Sequence, residues 1–547
     1  MNSPHLDDAQ QESRLDQGST SSTGRTLTKA TPSRGTRFWM VFIAGLTVDL
    51  LSALDLTAVS TALPTIVNHL NGSDFIWVGS AYSIGATAVL PLVGGVVSIF
   101  GRKPILLAFI TIFAIGSAIC GAAQNINTLI AGRALQGFGG SGCVGTTMII
   151  YADLIPLPER GKFQGVTASV WAFACAIGPP IGGALATSGA WRWLFFLNLP
   201  ICVLAATLVV IFLQIRTPRE SLRKKLAQMD WIGLLIIIGG TMCVTLALTW
   251  GGVRYAWVSV QVLVPLCLGV ASIIFFFVIE VYWVDDPTVP PFIVSDRTTL
   301  SGYISVFFHG IVSMAIIFYL PVYFQATHLA SAIQSGVDMF GTSFVVPVFA
   351  IGTGISVQVF KRYRPQNHLG WMLIVIGFGV LSLLDENTSK ARCIAYQVVL
   401  AAGIGIVWIS TDFPILAPLP FSNNAHALGF MIFVRCSAQG WGIIVGGAIL
   451  QNGLRERLPS TLLSSLPQGT QLLTYSVIPL IPELSDQLQA DIRVAFVESI
   501  RLIWKTMIGF ATAGMVSSLL MREVPLRISM DETWGLKVGD HEVRGQT

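Results

Sequence analysis

The sequence predicts an all-α polytopic membrane protein of about fourteen spans, on three observations. Of its residues, 53% are hydrophobic and only 11% charged, where a soluble domain carries about 25% charge; mean hydropathy is +0.69. Apolar stretches of about 20 residues follow one another almost to the C-terminus, each able to cross a hydrocarbon core of about 30 Å at 1.5 Å per residue. Lysine and arginine gather in alternate connections between these stretches. A soluble chain of 547 residues would make roughly three or four domains, and the continuous apolar patterning overrides that expectation. The eight cysteines stand singly, with no CxxC or Cys/His cluster, so neither metal nor cofactor is expected. No basic run with interleaved aromatics points to nucleic acid.

In chain order, residues 1–37 are polar and lack the apolar region of a cleaved signal peptide, so they read as a disordered cytoplasmic tail. Six spans follow at 38–63, 76–98, 104–123, 126–149, 163–187 and 192–214, a first bundle over 38–214. An insert over 215–298 holds a basic linker and two extra spans at 229–249 and 257–280. A second six-helix bundle covers 299–521, with spans at 299–325, 332–359, 368–384, 391–418, 425–450 and 500–521. Its external loop, about 453–499, carries Leu473, Val477, Leu480, Ile481 and Leu484, which lie on the membrane surface or cap a cavity. Residues 522–547 form a second cytoplasmic tail.

The basic residues decide orientation. They cluster in the N-terminal tail, at Arg102-Lys103, at Arg160 and Lys162, from Arg216 to Lys225, at Lys361-Arg362 and Arg364, and after Arg522. In the fourteen-span reading all fall on one side, which is cytoplasmic by the positive-inside rule, as are both termini. The glycosylation acceptors Asn71 and Asn387 fall on the other side. The chain also repeats itself: Phe100-Gly101-Arg102-Lys103-Pro104 follows the second span, and Phe360-Lys361-Arg362-Tyr363-Arg364-Pro365 the tenth. Gly178, Gly182 and Gly183 are echoed by Gly440, Gly442, Gly446 and Gly447. Two similar halves enclosing a mid-membrane substrate site explain the echo, although glycine-rich packing faces look alike in any membrane bundle.

Charged residues inside the spans mark the candidate sites. An unpaired carboxylate at membrane depth costs about 2.5–3.5 kcal/mol or more, so Asp55 must be protonated, paired or exposed to a watery cavity. Asp49, six residues earlier, lies about 120° round the helix, nearer the bilayer centre. Arg133 enters from the outside by about two turns, matching the depth of Asp55, and the two are expected to share one site. There they form either a proton-coupling pair or a static ion pair. Asp412 and Arg435 match in depth in the inner part of the second half, as a second candidate pair. His309 lies mid-span, either in proton traffic or as a buried, hydrogen-bonded side chain. Gln136, Trp171, Tyr319, Tyr323 and Gln325 are candidates to line a cavity, with interface anchoring or packing as the alternative for the aromatics. In Gly178-Pro179-Pro180-Ile181-Gly182-Gly183, small residues admit close helix contact and the prolines bend the helix. No GxxxxGK[ST], GxSxG or HExxH pattern occurs, so no ATP-driven or enzymatic site is expected.

Together these motifs resemble the fourteen-span drug:proton antiporters of the major facilitator superfamily in their fungal form, from about residue 40 to 525. Asp55-Leu56-Thr57 through Pro64 resembles the family's first-span motif, Gly101-Arg102-Lys103 its cytoplasmic loop, and Arg133-x-x-Gln136-Gly137 its fourth-span motif. Gly178 to Gly183 is similar to the antiporter motif, and Trp191-Arg192-Trp193-Leu194-Phe195-Phe196-Leu197-Asn198-Leu199-Pro200 is the most specific stretch. The resemblance implies a major facilitator fold and export of small, often hydrophobic compounds in exchange for protons. It implies coupling roles for Asp55 and Arg133 and a hinge at Gly178-Pro179. A monomer in the plasma membrane is expected, with the vacuolar membrane as second choice. One departure is Ser98, where the family usually has an aspartate that helps latch the cytoplasmic side. An importer or facilitator, for instance of iron chelates, and a substrate-sensing receptor on the same scaffold stay open as alternatives.

Overall fold

The computed structural model describes residues 34–70, 75–214, 229–252, 255–284, 289–420, 423–460 and 477–526, with single positions 223, 287 and 462. Fourteen principal helices run through them. The first six are α1 (Thr36–His69), α2 (Phe75–Phe100), α3 (Arg102–Ala122), α4 (Ile126–Leu154), α5 (Leu157–Thr187) and α6 (Asn198–Phe212). Then come α7 (Trp231–Trp250) and α8 (Val260–Tyr282). The last six are α9 (Arg297–Thr327), α10 (Phe340–Phe360), α11 (Arg364–Leu381), α12 (Lys390–Ser410), α13 (Asn424–Arg457) and α14 (Asp486–Leu519).

Local chemistry sets their ends. Gly101, at φ 93°, makes the left-handed break between α2 and α3 that a side chain would strain. Asn125 caps α4 by accepting from Thr128 N at 2.9 Å, and Asp296 caps α9 by accepting from Thr298 N at 2.8 Å. Several ends depart from the apolar stretches. Helix α1 continues to His69, and α13 runs on to Arg457. Helix α14 starts at Asp486 rather than residue 500, so part of the expected external loop is helix. Apolarity reports only the part of a helix inside lipid, which is why these extensions carry no sequence signal.

Among the described residues, twelve helices are long and apolar enough to cross a membrane. The two principal helices outside that set are α4 and α11. Helix α4 carries Arg133, Gln136 and Asp153, all buried by neighbouring helices, so it has no need of an apolar surface. Helix α11 is 18 residues long and opens with Arg364-Pro365-Gln366-Asn367-His368.

Helix α4 packs against α2 and α3, and α1 against α5, α6 and α4. In the later part, α9 packs on α13 and α14, and α12 on α10 and α11. Helix α7 pairs with α8 and rests on α2. The best span window of α8 is 17% buried, against 67% for α9, so α8 lies at the rim and α9 at the centre. The main joins between the early and late groups are α5 with α10 and α2 with α13. Both close at the end marked by Gly101: a Cβ on Gly354 would lie 2.2 Å from the Gly161 carbonyl carbon, and one on Gly94 2.8 Å from the Ala425 oxygen. At the same end Tyr363, fully buried and stacked on Phe413, gathers the segment after α14. Its hydroxyl donates to Arg522 O at 2.5 Å and accepts from Val524 N at 3.2 Å, and its backbone N–H donates to Glu523 at 3.1 Å.

Val477 and Ile481 are buried in the same apolar cluster as Phe496 and Ile492 of α14, so this part of the loop packs into the late group rather than spreading over a membrane. Asn71, Leu473, most of the basic linker and most of both tails lie outside the described residues. Asn387 is exposed in the turn between α11 and α12.

Candidate functional site

The polar centre of the early group is built from α1, α3, α4 and α6. Asp55, on α1, is 2% exposed and Arg133, on α4, is 1% exposed. Arg133 Nη1 donates to Asp55 Oδ2 at 2.5 Å and to Gln136 Oε1 at 2.9 Å. The second carboxylate oxygen, Oδ1, accepts from Gln136 Nε2 at 3.0 Å and from Asn198 Nδ2 at 2.9 Å. Ser117 on α3 accepts from both amides, at 2.7 and 3.3 Å. Arg133 also donates through Nε to Val78 O at 3.4 Å, and its guanidinium lies 4.5 Å from the Tyr82 ring centre. Both carboxylate oxygens and the arginine are thus served, as a buried ionic group requires. The depth match between Asp55 and Arg133 is a direct contact in the structure.

Sequence reasoning missed Asn198 and Ser117. Asn198 stands inside the Trp191–Pro200 stretch, where a lone amide at the head of an apolar helix was the available signal. Asp49 lies apart from this network: it is 2% exposed, and its Oδ2 has no hydrogen-bond partner.

The second pair is looser and joins the two groups. Gln164 of α5 donates to Asp412 Oδ2 at 2.5 Å, while Arg435 Nη2 reaches Oδ1 at 3.5 Å. Arg435 stacks over Trp408 at 4.4 Å. On α2, Ser98 donates to Gly95 O at 2.8 Å and meets His426 Nε2 across the groups at 3.4 Å. Arg102 is buried and holds Asp153 through Nε at 2.8 Å and Nη2 at 3.4 Å. Asp153 was not singled out from the sequence. Lys103 donates to Val210 O at 2.7 Å.

The other candidates fall in different settings. A Cβ on Gly178 would meet Thr57 Oγ1 at 2.1 Å, so α5 sits in a notch of α1 at this glycine. Pro180 is exposed, Gly182 buried, and nothing lies within 4 Å of a Cβ on Gly183. The side chain of Pro179 is outside the described set, although α5 runs through it unbroken. His309, Tyr319 and Tyr323 are buried with their polar atoms engaged. His309 Nε2 meets Ile404 O at 3.1 Å, Tyr319 donates to Ile443 O, and Tyr323 donates to Asp385 O at 2.8 Å. They pack rather than line open space in this conformation. Trp171 and Gln325 are half-buried, and Gln325 donates to Ser335 at 3.0 Å.

Known proteins place this arrangement. Residues 46–447 match the Major Facilitator Superfamily. The efflux pump FUS6 of Gibberella fujikuroi is 32% identical over 517 residues, covering 92% of each chain. The MFS efflux transporter aclA of Aspergillus oryzae is 33% identical, covering 93% of each. Among solved structures, the human organic anion transporter MFSD10 aligns with a TM-score of 0.53 over 87% of this chain and 100% of that one. The proton:xylose symporter XylE aligns at 0.55 over 89% and 97%. At 13% identity each, these two speak for the fold alone. With a matching sequence pattern over most of its length and relatives alike over about nine-tenths of it, the chain belongs to the Major Facilitator Superfamily and is a multi-pass membrane transporter rather than an enzyme.

Proposed function

We propose that the protein exports small hydrophobic or amphipathic compounds in exchange for protons, by alternating access. The observation that carries the reading is the pair of buried carboxyls on α1, one of them locked to Arg133 in a membrane-spanning bundle. Buried ionisable groups at such depth are costly and mark ion pathways. Relatives named as efflux pumps over nine-tenths of the chain support the outward direction. In this reading all fourteen helices span the bilayer, as two six-helix bundles over 38–214 and 299–521 with two inserted helices between. Both termini are cytoplasmic, the protein works as a monomer, and the plasma membrane is its location. The α5–α10 and α2–α13 contacts then close the cytoplasmic side, and substrate enters when they part. Gly178-Pro179 serves as the hinge where α5 turns against α1.

The test is accumulation of rhodamine 6G in yeast expressing the protein, with and without a protonophore. Lowered accumulation that the protonophore restores is the expected result. Raised accumulation overturns the direction and favours an importer, and export indifferent to the protonophore overturns the coupling.

A further inference from the structure

Two carboxyls six residues apart on α1 have opposite surroundings. Asp55 receives donors from Arg133, Gln136 and Asn198. Asp49 receives none at Oδ2 although it is equally buried. The titratable groups facing it are the Cys143 thiol and the Tyr151 hydroxyl of α4, with Cys202 of α6 beside Cys143. Among the described residues no lysine, arginine or histidine forms an ion pair with it. Nearby hydroxyls are spent elsewhere. Tyr151 donates to Phe42 O at 3.2 Å, Thr147 to Cys143 O at 2.8 Å, and Ser52 to Gly140 O at 3.5 Å. The helices touch closely here, since a Cβ on Gly45 would lie 2.1 Å from the Tyr151 oxygen.

An ionised carboxylate in this seam has no ion-pair cation among the described residues and no donor at Oδ2, a costly state for a buried charge. A carboxylic acid needs no counterion. Asp55 is the reverse case, because protonating it would strand Arg133, which cannot give up its own charge.

We infer that Asp49 carries the exchangeable proton and that Asp55 remains a fixed anion bound to Arg133. The assignment rests on proton-coupled efflux and names the carrier within it. The step is simple in its balance: the Asp49 carboxylate takes H⁺ from water on one side, forming the O–H bond, and returns H⁺ to water on the other. Release requires water to reach the α1–α4 seam. Helix α5 packs on both α1 and α10, so movement between the early and late groups is transmitted to α1.

The experiment is an infrared pH titration of the full-length protein in lipid nanodiscs, reading the carbonyl stretch of protonated carboxylic acid above the amide I band. Difference spectra against Asp49→Asn should show a band that is present at neutral pH, shifts in heavy water and falls in alkaline buffer. Asp55→Asn should keep it, and Asp49→Glu should restore a displaced band, which shows that the site still folds. A band that survives Asp49→Asn, or disappears with Asp55→Asn, overturns the assignment. A band constant into alkaline buffer makes Asp49 a permanent structural acid and overturns the carrier role. Rhodamine 6G export separates the two levels. Protonophore-sensitive export retained by Asp49→Asn sinks the assignment alone, whereas wild-type export indifferent to the protonophore sinks the coupled-efflux reading and the carrier with it.

Discussion

Replacing Asp55 by asparagine keeps its shape and removes its charge, and the geometry says what that does. Oδ2 accepts from Arg133 at 2.5 Å, and Oδ1 accepts from Gln136 and Asn198 at 3.0 and 2.9 Å. An asparagine amide has one oxygen and one NH2 group. If its oxygen faces Arg133, the NH2 opposes two donors; if it faces the two amides, the NH2 opposes the guanidinium. Either way a donor loses its acceptor, and an arginine 1% exposed loses its counterion. Breaking a buried pair from one side costs about 3–5 kcal/mol. Arg133→Gln should cost clearly less, because Asp55 keeps two amide donors and can take up a proton. The double replacement Asp55→Asn with Arg133→Gln should recover most of the single loss, since no uncompensated charge remains. Unfolding of the purified protein in detergent, followed by tryptophan fluorescence through a denaturant titration, measures all three. Asp55→Asn as stable as the wild type, or a double variant as unstable as Asp55→Asn, would refute the argument.

Three further expectations follow from other contacts. Gly354→Ala places a methyl 2.2 Å from the Gly161 carbonyl carbon and 2.3 Å from Lys162 N, so the Gly101 end must open. Maleimide labelling of a Ser98→Cys background should rise several-fold, and unchanged labelling would contradict the close approach. Arg102→Lys keeps the charge but not the two-pronged bond to Asp153, and should cost about 1–3 kcal/mol in the same unfolding assay. In the turn between α11 and α12, the Thr388 hydroxyl donates to Asp385 at 2.6 Å and holds its carboxyl below the usual carboxylate range. A depressed carboxyl contributes stability above its unfolded pKa and loses it as pH falls through the folded value. Thr388→Ala should therefore lose less thermal stability on acidification than the wild type, read from melting temperatures across pH.

Much of the helical plan is legible because lipid demands apolar segments of a set length. Polar residues within them stand out, which is how depth alone paired Asp55 with Arg133 and Asp412 with Arg435. What stays hidden is every group whose partner comes from a distant helix without matching charge. Asn198 reaches Asp55 across 143 positions and Ser117 across 81, and a neutral amide or hydroxyl in an apolar run gives no direction to search. Gln164 is missed for the same reason, although it makes the shorter bond to Asp412. The apolar test fails in the opposite sense for α4, whose surroundings are protein on most sides. The aromatic candidates Tyr319 and Tyr323 could not be sorted by composition, because a hydroxyl buried against a carbonyl reads the same as one facing water.

Tyr363 also bears on how the protein is made. Among the described residues its hydroxyl and backbone N–H find their partners at residues 522–524, so the connection between α10 and α11 takes its final form after α14 has been synthesised and inserted. Until then the Tyr363 hydroxyl and backbone N–H lack these partners. A chain stopped just ahead of them would hold all fourteen principal helices and still leave Tyr363 without these partners.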